Sequence, residues 1–263
     1  MSKQNCLNAI ATCLLAGLLA GCITTTTGGF LVTASDEEAL QDYIQLAIAY
    51  YDANDLGNAR RAVNSAMEID DDHTEIYNVL ALILQREGEL DLAEANFRRA
   101  INLDRNNSRA RNNYGALLFS RGDLEGAYGE FQQVTADTSY EGRAVAFENL
   151  GRVALRLARL DEAERAFGRA LQLNSNLYVS ALELSVLLVR SGDWQRARDI
   201  FQQYMTTVQF FSIPHSPRAL LAGIQIEGYF QNQERVQQFV RQLTTQHGNS
   251  PEFQTYRRLV DGN

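Results

Sequence analysis

The chain has one lysine, Lys3, and its three prolines stand at positions 214, 217 and 251. It has one tryptophan, and its three cysteines all lie within residues 1–22. Each scarcity excludes something. With 24 basic against 32 acidic residues and a net charge of −8, no basic block exists to displace counterions, so nucleic-acid backbones are excluded as partners. Scattered Arg among Asp and Glu reads as a solvated helical surface. No cysteine after residue 22 leaves no internal disulfide and no cysteine-based metal site. No apolar run reaches the roughly 20 residues a membrane-spanning helix needs. What is abundant is Ala, Leu, Arg, Gln and Glu, all good helix formers, and an all-α chain is expected.

The N-terminus differs from the rest. Lys3 precedes a mostly apolar run from Cys6 to Leu19, interrupted by Asn8 and Thr12. A basic start, a short apolar stretch and small residues at Ala20-Gly21 describe an export signal. Leu19-Ala20-Gly21-Cys22 resembles the bacterial lipobox, which implies cleavage before Cys22 and acylation of that cysteine. Two or three acyl chains, at about 0.8 kcal/mol per buried CH₂, anchor a protein permanently. Ile23 follows the cysteine, where the absence of Asp is similar to outer-membrane cargo. Ile23–Ser35 is rich in Thr and Gly with no helical period and reads as a tether with a reach on the order of 20 Å. The expected organisation is a signal peptide over 1–21, a lipidated cysteine and tether over 22–35, and a folded domain over 36–263.

That domain repeats. Small or apolar residues recur at Ala47, Ala81, Gly115, Gly151, Ser185 and Ile224. Twelve residues after each stand Ala59, Ala93, Ala127, Ala163, Ala197 and Val236, and four further on Val63, Phe97, Phe131, Phe167, Phe201 and Val240. The dominant spacing of 34 residues and the small–small–aromatic order resemble the tetratricopeptide repeat (TPR). Each unit is expected to be two helices whose small residues let the backbones approach to about 8–10 Å, stacked on its neighbours into a superhelix of about six repeats. Asn54-Asp55, Gly88-Glu89, Gly122-Asp123 and Gly192-Asp193 supply the turns. Ala158-Arg159 and Gln231-Asn232 do so less well. Insertions fall at 137–142 and 210–217, the second able to bend or cross the superhelix. A final short helix over Glu252–Val260 is expected to cap it.

No Walker loop, dinucleotide fingerprint or HExxH is present. His73, His215 and His247 fall at predicted loop positions and read as solvated. Neither enzyme, cofactor nor small-molecule substrate is indicated. What remains is a surface lined by the first helices: Ile44, Ile48 and Tyr51 in repeat one; Asn78, Leu82 and Gln85 in repeat two; Asn112, Asn113, Ala116 and Phe119 in repeat three; Glu148, Asn149, Arg152 and Leu155 in repeat four. Apolar groups beside Asn suit a peptide, because Asn offers both donor and acceptor. Ile44 and Ile48 fit equally well as contacts to the tether or neighbouring helices. Asn78, Asn112, Asn113 and Asn149 are assigned to a partner because buried polar groups need partners. In repeat five, Val179, Leu182, Val186 and Val189 are expected to pack under repeat six, with Phe210 and Phe211 also able to cover them.

Asn112-Asn113-Tyr114-Gly115, then Phe131, Asp137 and Tyr140, then Glu148-Asn149-Leu150-Gly151 resemble the PilW/PilF-type lipoproteins of type IV pilus biogenesis. Ser180–Leu184, Gly192 with Ala197-Arg198, Gly223-Ile224, and Ser250 with Glu252-Phe253 continue the likeness. The resemblance implies a secretin pilotin. Such a protein sits on the periplasmic face of the outer membrane, held there by lipid on Cys22, and binds the type IV pilus secretin. It promotes the secretin's localisation and multimer assembly, and so supports pili and twitching motility. A scaffold lipoprotein of β-barrel assembly or of peptidoglycan-synthesis regulation is the alternative.

Overall fold

The structure, a computed structural model, describes residues 35–262. The signal segment, Cys22 and nearly all of the tether lie outside the described residues. The chain divides into a short unit, Met1–Glu38, and a compact one, Ala39–Asn263, which holds the repeats.

The described residues form helices and no strands, in six hairpins and a last helix. The hairpins are α1 (Asp36–Asp52) with α2 (Leu56–Ile69), α3 (Thr74–Glu87) with α4 (Leu90–Leu103), and α5 (Ser108–Arg121) with α6 (Leu124–Ala136). They continue as α7 (Arg143–Arg156) with α8 (Leu160–Leu173), α9 (Tyr178–Ser191) with α10 (Trp194–Phe210), and α11 (Pro217–Tyr229) with α12 (Gln233–His247). Helix α13 (Pro251–Asp261) closes the array against α11 and α12. From α3 onward each helix packs on the next in sequence, and each first helix also touches the first helix of the following repeat. This nearest-neighbour pattern is the fold of a TPR superhelix.

The small–aromatic spacing does what the sequence implies. A Cβ added to Gly115 would lie 2.9 Å from Phe131, and one on Gly151 2.8 Å from Phe167. Both rings are fully buried, so each first helix is as close to its partner as the ring allows. Repeat six departs from the expected register. Gly223, not Ile224, meets the aromatic ring, with its added Cβ 2.7 Å from Phe239. Phe239 is buried and Val240 only partly so. The insertion ahead of repeat six is therefore effectively one residue shorter than the Ile224 alignment implies.

All six hairpin turns share one backbone. Asn54, Gly88, Gly122, Ala158, Gly192 and Gln231 each have positive φ, between 58° and 88°. The next residue's N–H reaches back five residues in every case, as Asp55 to the Tyr50 carbonyl and Arg159 to Ala154. This left-handed stop satisfies carbonyls that the helix end would otherwise leave open. Ala158 and Gln231, the poorer turn residues, adopt the same conformation at φ 58° and make the same turn hydrogen bonds. Asp55, Asp123, Asp193 and Asn232 then cap the second helices, each accepting from the N–H three residues on.

In the 210–217 insertion Phe210 and Phe211 stay exposed and do not cover the repeat-five apolar row, whereas Ile213 and His215 turn inward, His215 lying between Tyr204 of repeat five and Phe239 of repeat six. Helix α10 runs to 17 residues against 14 for α8, so Phe210 completes a helix and stands 80% exposed. Ser212 (φ 55°) stops it with the same left-handed turn. Repeat six covers Leu182, Val186 and Val189 of the repeat-five apolar row, as one of the two readings expected, but Val179 stays partly exposed and lines an open groove with Phe119 and Arg152. Leu182 is buried, and Val186 and Val189 pack against the cluster that includes Ala219, Leu220 and Ile224 of α11.

Candidate protein-binding groove

The first helices place the expected surface residues in two groups. Ile44 and Asn78 are interior, at 3% and 1% exposure, and offer nothing to a partner. Ile44 joins Leu40, Ala47, Val63 and Val79 in the repeat-one core. Ile48, Tyr51, Leu82, Asn112, Asn113, Phe119 and Asn149 are partly exposed and remain on the surface of the first helices. Tyr51 carries the Arg86 guanidinium 3.8 Å above its ring, and Arg86 donates to the Tyr51 carbonyl at 2.7 Å.

The asparagines bond to each other across repeats. Asn113 Nδ2 donates to Asn78 Oδ1 at 2.9 Å, and Asn149 Nδ2 donates to Asn112 Oδ1 at 3.4 Å. Asn78 in turn donates to Glu75 at 3.2 Å. Each link joins the residue three before one repeat's small site to the residue two before the next. The polar row is thus a set of inter-repeat clamps. Burial alone does not require a ligand there, because the amides already have partners. Glu148 continues the row, accepting from both the N–H (3.0 Å) and the hydroxyl (2.8 Å) of Ser180. Asn112, Asn113 and Asn149 keep amide atoms outside these bonds.

Further along, Phe119 of α5 lies under two arginines of α7, Arg152 at 5.4 Å and Arg156 at 5.8 Å from its centroid. These line a groove of about 500 Å³ with Leu155, Val179, Glu183, Arg190 and Arg218. Phe119, Arg152 and Leu155 are among the residues the repeat spacing puts on this surface. Arg156, Arg190 and Arg218 are not. A signal for the first two is present in the sequence, since an arginine closes the last turn of α3, α5, α7 and α9.

The remaining polar features are structural. Asp137, in the loop after α6, accepts from the Ser108 and Ser139 hydroxyls at 2.6 Å each. Those bonds hold its pKa down to about 2. His215 is half-buried and not solvated as the loop position suggests. Its ring sits 5.9 Å from Tyr204 and 6.4 Å from Phe239, with Nδ1 3.4 Å from the Tyr204 hydroxyl. Burial lowers the His215 pKa and raises that of Tyr204 to about 12. His73 Nδ1 is buried without a hydrogen-bond partner among the described residues. Among those residues no group of three or more His, Cys, Asp or Glu side chains is placed to hold a metal ion, and no helix is long and apolar enough to cross a membrane.

Comparison with known proteins agrees with this architecture. The tetratricopeptide repeat family matches residues 74–107 and 148–207. The type IV pilus assembly protein PilF of Pseudomonas aeruginosa is 31% identical over 245 residues, covering 93% of this chain and 95% of PilF. A solved structure of Pseudomonas aeruginosa PilF superposes with a TM-score of 0.79 at 30% identity, over 84% of this chain and 98% of that one. PilW, described as a widely conserved type IV pilus biogenesis factor, shares the fold, with a TM-score of 0.66 at 24% identity over 83% of this chain and 98% of PilW. So does YrrB, described as a TPR protein with an unusual peptide-binding site, with a TM-score of 0.61 at 18% identity over 75% and 98% of the two chains. A six-hairpin array, a first-helix groove and a relative matched over nearly its whole length place the chain in the PilF family of tetratricopeptide-repeat type IV pilus assembly proteins.

Proposed function

We propose that the chain is an outer-membrane lipoprotein that binds the type IV pilus secretin, promotes its localisation and ring assembly, and so supports pilus biogenesis and twitching motility. The observation that carries this reading is the near full-length relationship to PilF, joined to a first-helix surface that keeps Ile48, Tyr51, Leu82, Asn112, Asn113, Phe119 and Asn149 partly exposed. Lipid on Cys22 fixes the protein at the periplasmic face. The repeats hold a secretin segment, and tethering raises its effective concentration at the membrane. The chain is a scaffold. It makes and breaks no bond, and it needs no cofactor.

Deleting the gene tests the role. The secretin multimer in the outer membrane should fall sharply and twitching should stop. A ring of normal amount and location would refute the proposal, and co-purification with barrel-assembly or cell-wall enzymes would redirect it. Cys22→Ser should release the protein to the soluble periplasmic fraction, and continued membrane fractionation would refute the anchor. Ile48→Asp with Asn112→Asp should weaken secretin capture at unchanged helicity.

A further inference from the structure

The arginine-lined groove carries an inference of its own, whatever the partner in pilus assembly. It is bounded by four successive first helices: Phe119 comes from α5, Arg152 and Arg156 from α7, Val179 and Arg190 from α9, and Arg218 from α11. A single groove touched by four stacked repeats is concave, and a concave surface takes a segment of chain, not a flat one.

Its charge runs against that of the protein. Four guanidiniums and one carboxylate line it in a chain of net charge −8. The carboxylate, Glu183, is taken by Arg218 at 2.7 Å. Most arginines elsewhere have an acid at hand, as Arg60 with Glu87, Arg121 with Asp91 and Arg159 with Glu125. Arg152, Arg156 and Arg190 have no acidic side chain within ion-pair distance among the described residues, and two of them share one aromatic ring. Gathering like charges disfavours the free protein. Arg156 and Arg190, in the last turns of α7 and α9, gain something from the helix dipole. Arg152 is in mid-helix and gains nothing there.

We propose that this groove binds an acidic segment of a partner protein, one in which Asp or Glu alternates with apolar residues. Carboxylates would take bidentate bonds from the three unpaired guanidiniums, and apolar side chains would lie on Phe119, Leu155 and Val179. Charge complementarity selects the class of ligand. The apolar floor selects peptide over bare phosphate, and the acidic remainder of the chain rejects a long polyanion.

The test is a randomised twelve-residue peptide library panned on the purified full-length chain. Selected sequences should be enriched in Asp and Glu beside Leu, Ile or Phe. Replacing their carboxylates by the amides should weaken binding by about tenfold or more. Joint Arg152→Gln, Arg156→Gln and Arg190→Gln should weaken it similarly at an unchanged melting temperature, with the Lys versions falling between. Selected peptides no more acidic than the library, or equal affinity for the Gln variant, would overturn the proposal. So would phosphatidylglycerol vesicles that bind through the same arginines when no acidic peptide is selected. Should the Gln variant unfold, the carboxylate-to-amide comparison on the unaltered chain decides alone.

Discussion

Replacing Gly151 by alanine probes the packing on which the fold depends. The new Cβ would stand 2.8 Å from Phe167 Cδ1 and Cε1 and 2.9 Å from Cζ, so the ring or a helix must shift. Phe167 has no exposed surface and lies among buried Ala154, Ala163 and Ala181, which leaves the ring nowhere to go. Overpacking of this kind costs about 1–3 kcal/mol, while alanine regains roughly 0.5–1 kcal/mol over glycine inside a helix. The net loss is about 1 kcal/mol, or about 2–4 °C in melting temperature for a domain of this size. Gly168→Ala, one residue from Phe167 on α8, is the control, since its Cβ meets nothing within 4 Å. It gains the same helix propensity with no clash and should be stabilised. The difference between the two variants then cancels propensity and reads overpacking alone, about 1–3 kcal/mol. Urea and thermal unfolding followed by circular dichroism measure it. Hydrogen exchange in α7 and α8 would place the loss, because repeat arrays can unfold in parts. Equal stabilisation by both substitutions would refute the close approach of α7 and α8.

Ala93→Leu should destabilise the second hairpin by about 1–3 kcal/mol, because Ala93 is fully buried between its helices; an unchanged urea midpoint would contradict the register. Ala158→Gly should stabilise, since relief of the left-handed strain at φ 58°, about 1–2 kcal/mol, exceeds the roughly 0.5–1 kcal/mol lost to glycine's freedom in the unfolded chain; a lower melting temperature would show the turn to be unstrained. His215 gives a pH dependence. Burial lowers its folded pKa, so the unfolded chain binds the proton more readily. Its contribution is therefore present above the unfolded value, about 6.5, and is lost as pH falls below it. The melting temperature should drop between about pH 7.5 and pH 5, and drop less in His215→Gln; identical slopes for the two proteins would remove His215 from the account.

What the sequence determined is what lies within one repeat. Helices, turns and the small–aromatic pairing depend on spacings of 12 and 16 residues, which a linear pattern records in full. Hence Gly115 with Phe131 and Gly151 with Phe167 are legible, as are the turns at Gly88, Gly122 and Gly192. What only the tertiary structure decided is how each repeat meets the next. Periodicity gives the face of a helix but not how far the following repeat rolls over it. That roll buries Ile44 and Asn78, turns the asparagine row into clamps between repeats, and seats Arg152, Arg156 and Arg190 in one groove. Those arginines lie up to 38 residues apart, and their shared charge exists only once two first helices, α7 and α9, have stacked.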